Sequence, residues 1–356
     1  PLSPMMFVLA VELLALSIRQ DQDLSGIVIS DKRFIIKQYA DDTSLFLKDY
    51  KDLKRVLNKI NEFALFSGLK LNEEKSLVMA LGKDTPTISK KYGIHFASEV
   101  KILGVTFSRA MSASINPKNW EQKIKDLQRL LATWHKRNLS IIGKITIIKS
   151  LAISKFVYIM QSLSIPSEVL TTIARMLFTF VWKKKWTNRK AFEKVKRTTM
   201  CNDFQNGGLN MIDVFALQKS FLLNWVKRLC DSKEEEWKVI PLSCYIPVGG
   251  VSVFNSNTAS KMFKGISSIQ NIFWRDVLKA WLDFPKSKTQ NILYQNDPIF
   301  NNANVTFKGN VIWIQKLIMK NVFFVKDVCD GARIITSDEL KNKFGTYNGI
   351  ELNYNI

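Results

Sequence analysis

The chain has 356 residues, 52 Lys plus Arg against 31 Asp plus Glu, 46% hydrophobic and 23% charged residues, and a formal net charge of +21. That apolar content excludes a largely disordered or collagen-like chain and supports roughly two or three domains with cores of their own. The positive excess favours a polyanionic partner, because basic side chains release condensed counterions when they meet phosphate.

Cys201, Cys230, Cys244 and Cys329 form no Cys-x-x-Cys unit, so neither a zinc site nor a disulfide framework is legible. His95 and His135 are the only histidines, too few and too isolated to suggest a histidine metal site or a Ser-His-Asp arrangement.

In chain order, the first element is the apolar run Met5 to Ile18, interrupted by Glu12. It falls short of the roughly 18 to 20 residues that cross a bilayer and predicts a buried helix, with no membrane partner. No charged leader precedes it and no small-residue cleavage site follows, so an intracellular setting, nucleus and cytoplasm, is expected. Because the chain opens at Pro1 inside what reads as a structured element, an upstream portion is expected as well.

Two apolar runs, Phe34 to Ile36 and Leu45 to Leu47, flank Tyr39-Ala40-Asp41-Asp42 and predict a hairpin with carboxylates at its tip. Adjacent carboxylates repel, and a bound divalent cation with oxygen ligands offsets that repulsion, which makes Asp41 and Asp42 candidate Mg²⁺ ligands. An amphipathic helix over Leu53 to Phe66 follows, capped by Gly68, with Leu69 and Leu71 opening a strand and Lys75 beyond. Within Val100 to Val105, Gly104 permits close backbone approach.

The middle of the chain holds most of the charge: residues 101–200 carry 20 basic and 4 acidic side chains. Trp120, Ile124, Leu127, Leu131 and Trp134 recur at steps of three and four, the pattern of an amphipathic helix. Helical runs Ile145 to Leu163 and Leu170 to Trp182 follow, the latter ending in a basic burst. Lys123, Lys144, Lys183, Lys184, Lys185, Arg189 and Lys190 are the candidate phosphate contacts. A solvated face with a nuclear-localisation-like run is the simpler account of any single lysine; over twenty residues phosphate binding prevails. Beyond Cys201, a Gly207-Gly208-Leu209 stretch precedes an apolar helix over Phe215 to Leu229. Pro241, Pro247, Gly249 and Gly250 read as a linker, and Phe273 to Trp281 as an aromatic helix.

Tyr39-Ala40-Asp41-Asp42 resembles the YADD motif of reverse transcriptases, and more of that family's pattern follows in order. Pro1-Leu2-Ser3-Pro4 is similar to the end of its QG-x-PLSP motif, Ser67-Gly68-Leu69-Lys70-Leu71-Asn72 with Lys75 to its SGL-x-x-N-x-x-K motif, and Val100 to Val105 to its primer-gripping hairpin. Phe204 to Met211 with Ile212-Asp213, followed by the apolar helix from Phe215 to Leu229, resembles the GGL region beyond the thumb of long interspersed element polymerases. Ala at the second motif position, with SGLKLN, points to the non-LTR retrotransposon and group II intron branches.

The resemblance implies an α+β fold: a truncated right-hand polymerase palm over residues 1–112, a basic helical thumb over 113–198, a GGL helical region over 199–240 and a helix-rich C-terminal region over 241–356. It implies RNA-directed DNA polymerisation by two-metal Mg²⁺ chemistry in target-primed reverse transcription. The implied partners are an RNA template, the element's own RNA, a DNA primer and deoxynucleoside triphosphates. By the same carry-over, Asp41 and Asp42 hold metal, Tyr39 and Ala40 border primer terminus and nucleotide, and Lys75 is a candidate acid for leaving pyrophosphate. Pro1, Ser3, Leu103 and Gly104 would touch nucleic acid. The family's other catalytic Asp lies upstream of these motifs, so the chain alone is expected to be inactive. A catalytically inactive nucleic-acid-binding remnant of a mobile element is the alternative, with a group II intron maturase behind it.

Overall fold

The structure, a computed structural model, describes residues 2–81, 90–182, 193–285, 295–307, 309–330 and 333–344. It mixes helices with short strands, an α+β composition, and divides into two units: residues 1–159 with 165–211, and residues 160–164 with 212–356.

The first unit begins with α1, Ser3–Arg19, which starts with a proline in its first turn, where the missing N–H costs nothing. Only one face is covered: Val11, Leu14, Ala15 and Ile18 are buried, whereas Met5, Met6, Leu9 and Leu13 are exposed. This corrects the expectation of a buried helix. Apolarity all round a helix marks two faces able to bury surface, and the described residues cover one.

Two hairpins follow, β1 (Ile27–Ile29) with β2 (Lys32–Phe34) and β3 (Ile36–Tyr39) with β4 (Asp42–Leu45), both antiparallel. The helix α2, Tyr50–Ser67, is fixed at its start by Asp49, whose carboxylate accepts from the amides of Lys51 (2.8 Å) and Asp52 (3.0 Å). It stops at Gly68, left-handed at φ +72°, whose amide donates to the Ala64 carbonyl. Leu53, Val56, Ile60 and Phe63, at steps of three and four, turn one stripe inward. Val56 joins Leu14, Ala15, Ile18, Leu24, Ile35 and Ile36 in a core backed by Leu45 and Leu47. Each large aliphatic side chain there contributes about 1.5–3 kcal/mol by leaving water.

After Gly68 the chain remains irregular through Asn72, and the next strand is β5, Leu77–Val78, not one opening at Leu69. The reason is local: the Asn72 side chain accepts from the Lys75 amide (3.1 Å) and its carbonyl from the Ser76 amide (3.0 Å), so the chain turns before it can extend. With β6 (Lys90–Lys91) and β7 (Ile94–Phe96), β5 forms a three-stranded sheet. The hairpin β8 (Glu99–Ile102) and β9 (Val105–Ser108) comes next.

Helices complete this unit. In α3, Glu121–His135, Leu127 and Leu131 are fully buried. A second helical run opens at the cap Ser140 as α4, Ile141–Ile147, loosens into a π-helical turn at Ile148–Ala152, and continues as α5, Ser154–Ser162. The Ile153 amide reaches back five residues to the Ile148 carbonyl, 3.0 Å, the signature of that wider turn. Then come α6, Ser167–Trp182, and the short α7, Arg197–Cys201. After α7 the chain folds back so closely that a Cβ on Gly208 would lie 2.0 Å from the Asn202 carbonyl oxygen. Glycine is therefore obligatory there, which explains the second Gly of the GGL stretch.

The second unit is organised by α8, Val214–Leu229, against an aromatic helix at Ile272–Leu282. The segment holding Pro241, Pro247, Gly249 and Gly250 is not a linker. It forms α9, Val239–Tyr245, and two turns of 3₁₀ helix, and it buries Tyr245, Val248, Val253 and Phe254 in the unit's core. Proline starts or tightens a helical turn as readily as it breaks one. The Tyr245 hydroxyl donates to the Trp274 carbonyl at 2.8 Å, and burial pushes its pKa up. Asn301, 1% exposed, knots the unit: its side-chain amide exchanges hydrogen bonds with the Lys264 backbone (2.7 and 3.1 Å), while its carbonyl accepts from the Ser256 and Thr258 hydroxyls.

Candidate catalytic hairpin

In the β3–β4 pair Ile36 faces Leu45, Lys37 faces Ser44, Gln38 faces Thr43 and Tyr39 faces Asp42. Ala40 and Asp41 are thus the two residues of the turn. Ala40 takes the left-handed conformation at φ +53°, a region costly for any side chain and least so for a small one. The base of the hairpin is apolar and anchored: Ile35 and Ile36 are 4% exposed, and the Phe46 amide donates to the Ile35 carbonyl at 2.7 Å. Its tip is open, with Tyr39 70% exposed and Ala40, Asp41 and Asp42 all exposed.

Among the described residues neither the Asp41 nor the Asp42 carboxylate accepts a hydrogen bond or joins an ion pair. Contrast Asp21. Burial opposes its ionisation, but the Asp23 amide, Arg55 (2.9 Å) and Lys59 (3.2 Å) outweigh that and hold its carboxyl below the ordinary range. Asp21 spends its oxygens on the fold, whereas Asp41 and Asp42 keep theirs free. Free, adjacent, solvent-facing carboxylates are suitable ligands for a hard divalent cation. They are also only a pair, since no group of three or more His, Cys, Asp or Glu is gathered among the described residues. The chemistry of the donor set fits Mg²⁺, for which the pair would supply part of a coordination shell.

The remaining predicted positions are distributed over separate elements. Ser3 opens α1 without capping it, and it is exposed. Lys75 is exposed on the Asn72 turn. Leu103 (φ +46°) and Gly104 (φ +80°) form the turn of the β8–β9 hairpin, the two left-handed residues that a type I′ turn requires. A Cβ on Gly104 would meet nothing within 4 Å, so this glycine serves the turn's dihedrals rather than a close approach within the chain. Among the described residues no hydrogen bond or ion pair joins the YADD tip, Lys75 and this second turn. The ammonium of Lys123 donates to the Lys155 carbonyl at 3.4 Å. That of half-buried Lys144 donates to the Val181 carbonyl at 3.1 Å and lies over the Phe180 ring, burial lowering its pKa. Pro1, Lys183, Lys184, Lys185, Arg189 and Lys190 lie outside the described residues.

One residue that controls this geometry escapes a sequence reading. Asn119, 4% exposed, accepts from the Thr106 amide (2.7 Å) and donates to the carbonyls of Thr106 and Ala113 (2.9 Å each). Its amide thus acts as one more strand residue on β9 and fixes the hairpin that bears Leu103 and Gly104. The adjacent Trp120 indole donates to the Ser114 carbonyl at 2.8 Å. Asn-x-x-Asn-Trp around a proline was the available signal.

Residues 1–107 match the family described as reverse transcriptase (RNA-dependent DNA polymerase). A transposon TX1 protein of Xenopus laevis, uncharacterised, is 24% identical over 294 residues, 79% of this chain and 21% of its own length. A putative ribonuclease H protein of Arabidopsis thaliana is 21% identical over 126 residues, 35% of this chain and 20% of its own length. The chain therefore spans about a fifth of the length of these curated relatives. Its first 107 residues are a reverse transcriptase segment. The YADD and SGLKLN stretches both lie within that match.

Proposed function

We propose that the chain carries the YADD part of an RNA-directed DNA polymerase site, used by a non-LTR retrotransposon for target-primed reverse transcription inside the cell. The observation that carries this reading is the pair of free carboxylates, Asp41 and Asp42, at the open tip of a hairpin whose base is held by an apolar core. In this reading residues 1–112 act as palm and 113–198 as thumb, followed by the GGL region at 199–240. Residues 241–356 have no assigned role.

Asp41 and Asp42 would hold Mg²⁺, which when bound supplies charge stabilisation at the reacting phosphate. The chain's own residues arrange the substrates. Tyr39 and Ala40 border the incoming deoxynucleotide and the primer end. Leu103 and Gly104 support the DNA primer, Ser3 lies toward the template RNA, and Lys75 is placed to protonate leaving pyrophosphate. The gathered acids are a pair, so a complete two-ion site takes a further carboxylate from outside this hairpin, and the isolated chain polymerises poorly or not at all. The alternative, a nucleic-acid-binding remnant without catalysis, draws on that same incompleteness.

The test is Mg²⁺-dependent cDNA synthesis on a primed RNA by this chain and by a longer version that restores the preceding part of the polymerase. Synthesis is expected from the longer protein and should fall by orders of magnitude in Asp41→Asn, because metal stabilisation of a transition state is worth several kcal/mol. Undiminished synthesis in Asp41→Asn rejects the assignment. Robust synthesis by the isolated chain rejects the need for a further carboxylate.

A further inference from the structure

Between α8 and α9 of the second unit the chain runs irregularly from Asp231 to Glu235 and then makes one turn of 3₁₀ helix, Glu236–Lys238. Asp231, Ser232, Lys233, Glu234, Glu235 and Glu236 are all exposed. Acids thus stand at the second, third and fourth positions after Ser232, a setting that a protein kinase with a basic substrate groove recognises by charge complementarity. Ser232 and Thr336 are the two hydroxyl residues of the chain with an acid three positions on, Glu235 and Glu339.

The structure separates these two. The Thr336 hydroxyl donates to the Glu339 carboxylate at 3.0 Å and accepts from the Glu339 amide at 3.3 Å, which commits it to the start of the helix at Ser337–Phe344. The Ser232 hydroxyl makes no hydrogen bond among the described residues. Beside it lies a cation without a counter-charge. Lys238 is 8% exposed, and its ammonium donates to the carbonyls of Asp231 and of Lys233 (2.6 Å to the latter), the residues on either side of Ser232. Carbonyl dipoles satisfy two of its three N–H donors but do not neutralise the charge, and among the described residues no carboxylate pairs with it.

The Asp231 carbonyl belongs to the peptide that carries the Ser232 nitrogen. Covalent geometry therefore keeps the Lys238 ammonium within roughly 6 Å of the Ser232 Cα, a span that a phosphorylated serine side chain can cover. The acidic neighbours oppose a phosphate, but they are exposed and screened by water, and the Trp237 indole already donates to Glu235. Lys238 has been desolvated by the fold itself, and charges interact several-fold more strongly where water is excluded.

We propose that Ser232 is a phosphorylation site for an acidophilic protein kinase and that its phosphate serves as the counter-ion of Lys238. In the transfer the Ser232 Oγ bonds to the γ-phosphorus of ATP while that phosphorus loses its bond to the bridging oxygen, ADP departs, and the hydroxyl proton passes to the kinase's catalytic carboxylate. The added charge of about −1.5 to −2 ties the connection after α8 to the start of α9.

The experiment treats the full chain with casein kinase II and Mg²⁺-ATP, maps the product by peptide mass spectrometry and follows it by ³¹P NMR over a pH series. One phosphate is expected on Ser232, none on Thr336, and none in Ser232→Ala. The second ionisation of phosphoserine, ordinarily near pKa 6, should fall by roughly one unit in the folded chain and return to about 6 in urea. Because the folded value is then the lower one, the stabilisation is complete above about pH 6 and fades as the pH falls toward about 5. Phosphorylation should accordingly raise the melting temperature more at about pH 8 than at about pH 5. In Lys238→Gln the phosphate should titrate alike in folded and urea-unfolded chain. An unmodified Ser232, or incorporation at Thr336 as fast as at Ser232, overturns the site. A phosphate on the folded wild type that titrates at or above about 6 shows that the acidic neighbours prevail and overturns the pairing with Lys238.

Discussion

The two hairpins of the first unit share one design and expose opposite chemistry. Each has a two-residue turn whose first residue is left-handed, Ala40 in one and Leu103 in the other. One tip presents two free carboxylates; the other presents Ile102 and Leu103, 36% and 41% exposed. Their anchoring differs as well. The YADD hairpin is held from below by apolar burial against α1 and α2, whereas the β8–β9 hairpin is held from the side by the Asn119 amide. Apolar burial is spread over many atoms and tolerates change at the tip. Three hydrogen bonds from one side chain concentrate the anchoring in a single residue.

That contrast sets the largest expected effect. Asn119→Ala removes an amide that satisfies two carbonyls and an N–H in a buried setting. Each orphaned group costs about 1–3 kcal/mol, so urea denaturation should show a loss on the order of 3 kcal/mol. A loss under about 0.5 kcal/mol would mean that water replaces the amide at no net cost and that the two hairpins are anchored alike.

A smaller effect is expected at the YADD turn. Ala40→Val places a β-branched side chain at φ +53°, where branching at Cβ is least tolerated. Backbone strain of this kind costs about 1–3 kcal/mol, and the lower half of that range applies to an exposed turn able to relax. Ala40→Gly should be neutral or slightly stabilising. If both variants have the same melting temperature, the left-handed turn is not part of the folded state in solution. Asp41→Asn, by contrast, should leave stability unchanged, since among the described residues its carboxylate serves no contact.

What was legible in the sequence follows the same division. The YADD tip was readable because turn chemistry is local, Asp-Asp between apolar strands, whereas the second tip was legible only through its resemblance to the primer-gripping hairpin, and its Gly104 was read for a close approach that the structure does not show. The helices α2, α3, α6 and α8 were readable because a stripe at steps of three and four is written into the sequence. The strand expected at Leu69 was displaced by the Asn72 turn, a side-chain hydrogen bond that composition does not reveal. Pro241 and Pro247 misled for a related reason, since a proline that opens a helical turn and a proline in a linker look alike until Tyr245 is seen in the core. Asn119 and Asn301 were missed entirely. A buried amide that imitates backbone pairing depends on a partner 13 or 37 residues away, and no periodicity encodes it.

The smallest effect tests whether the second tip is shaped for folding or for contact. A two-residue turn with both positions left-handed favours Asn or Gly at its first position, yet this one has Leu103, exposed and apolar. On folding grounds alone Leu is a poor choice: it bears the left-handed strain and gains little burial. Leu103→Asn should therefore stabilise the chain, by about 0.5–1 kcal/mol in a denaturation curve, while weakening primer use in the longer, active protein. If the substitution destabilises instead, Leu103 is held by packing within the chain, and the comparison of an exposed acidic tip with an exposed apolar one fails. Stabilisation without any loss of primer extension would leave the strain at Leu103 with no functional counterpart and would remove this hairpin from the proposed primer path.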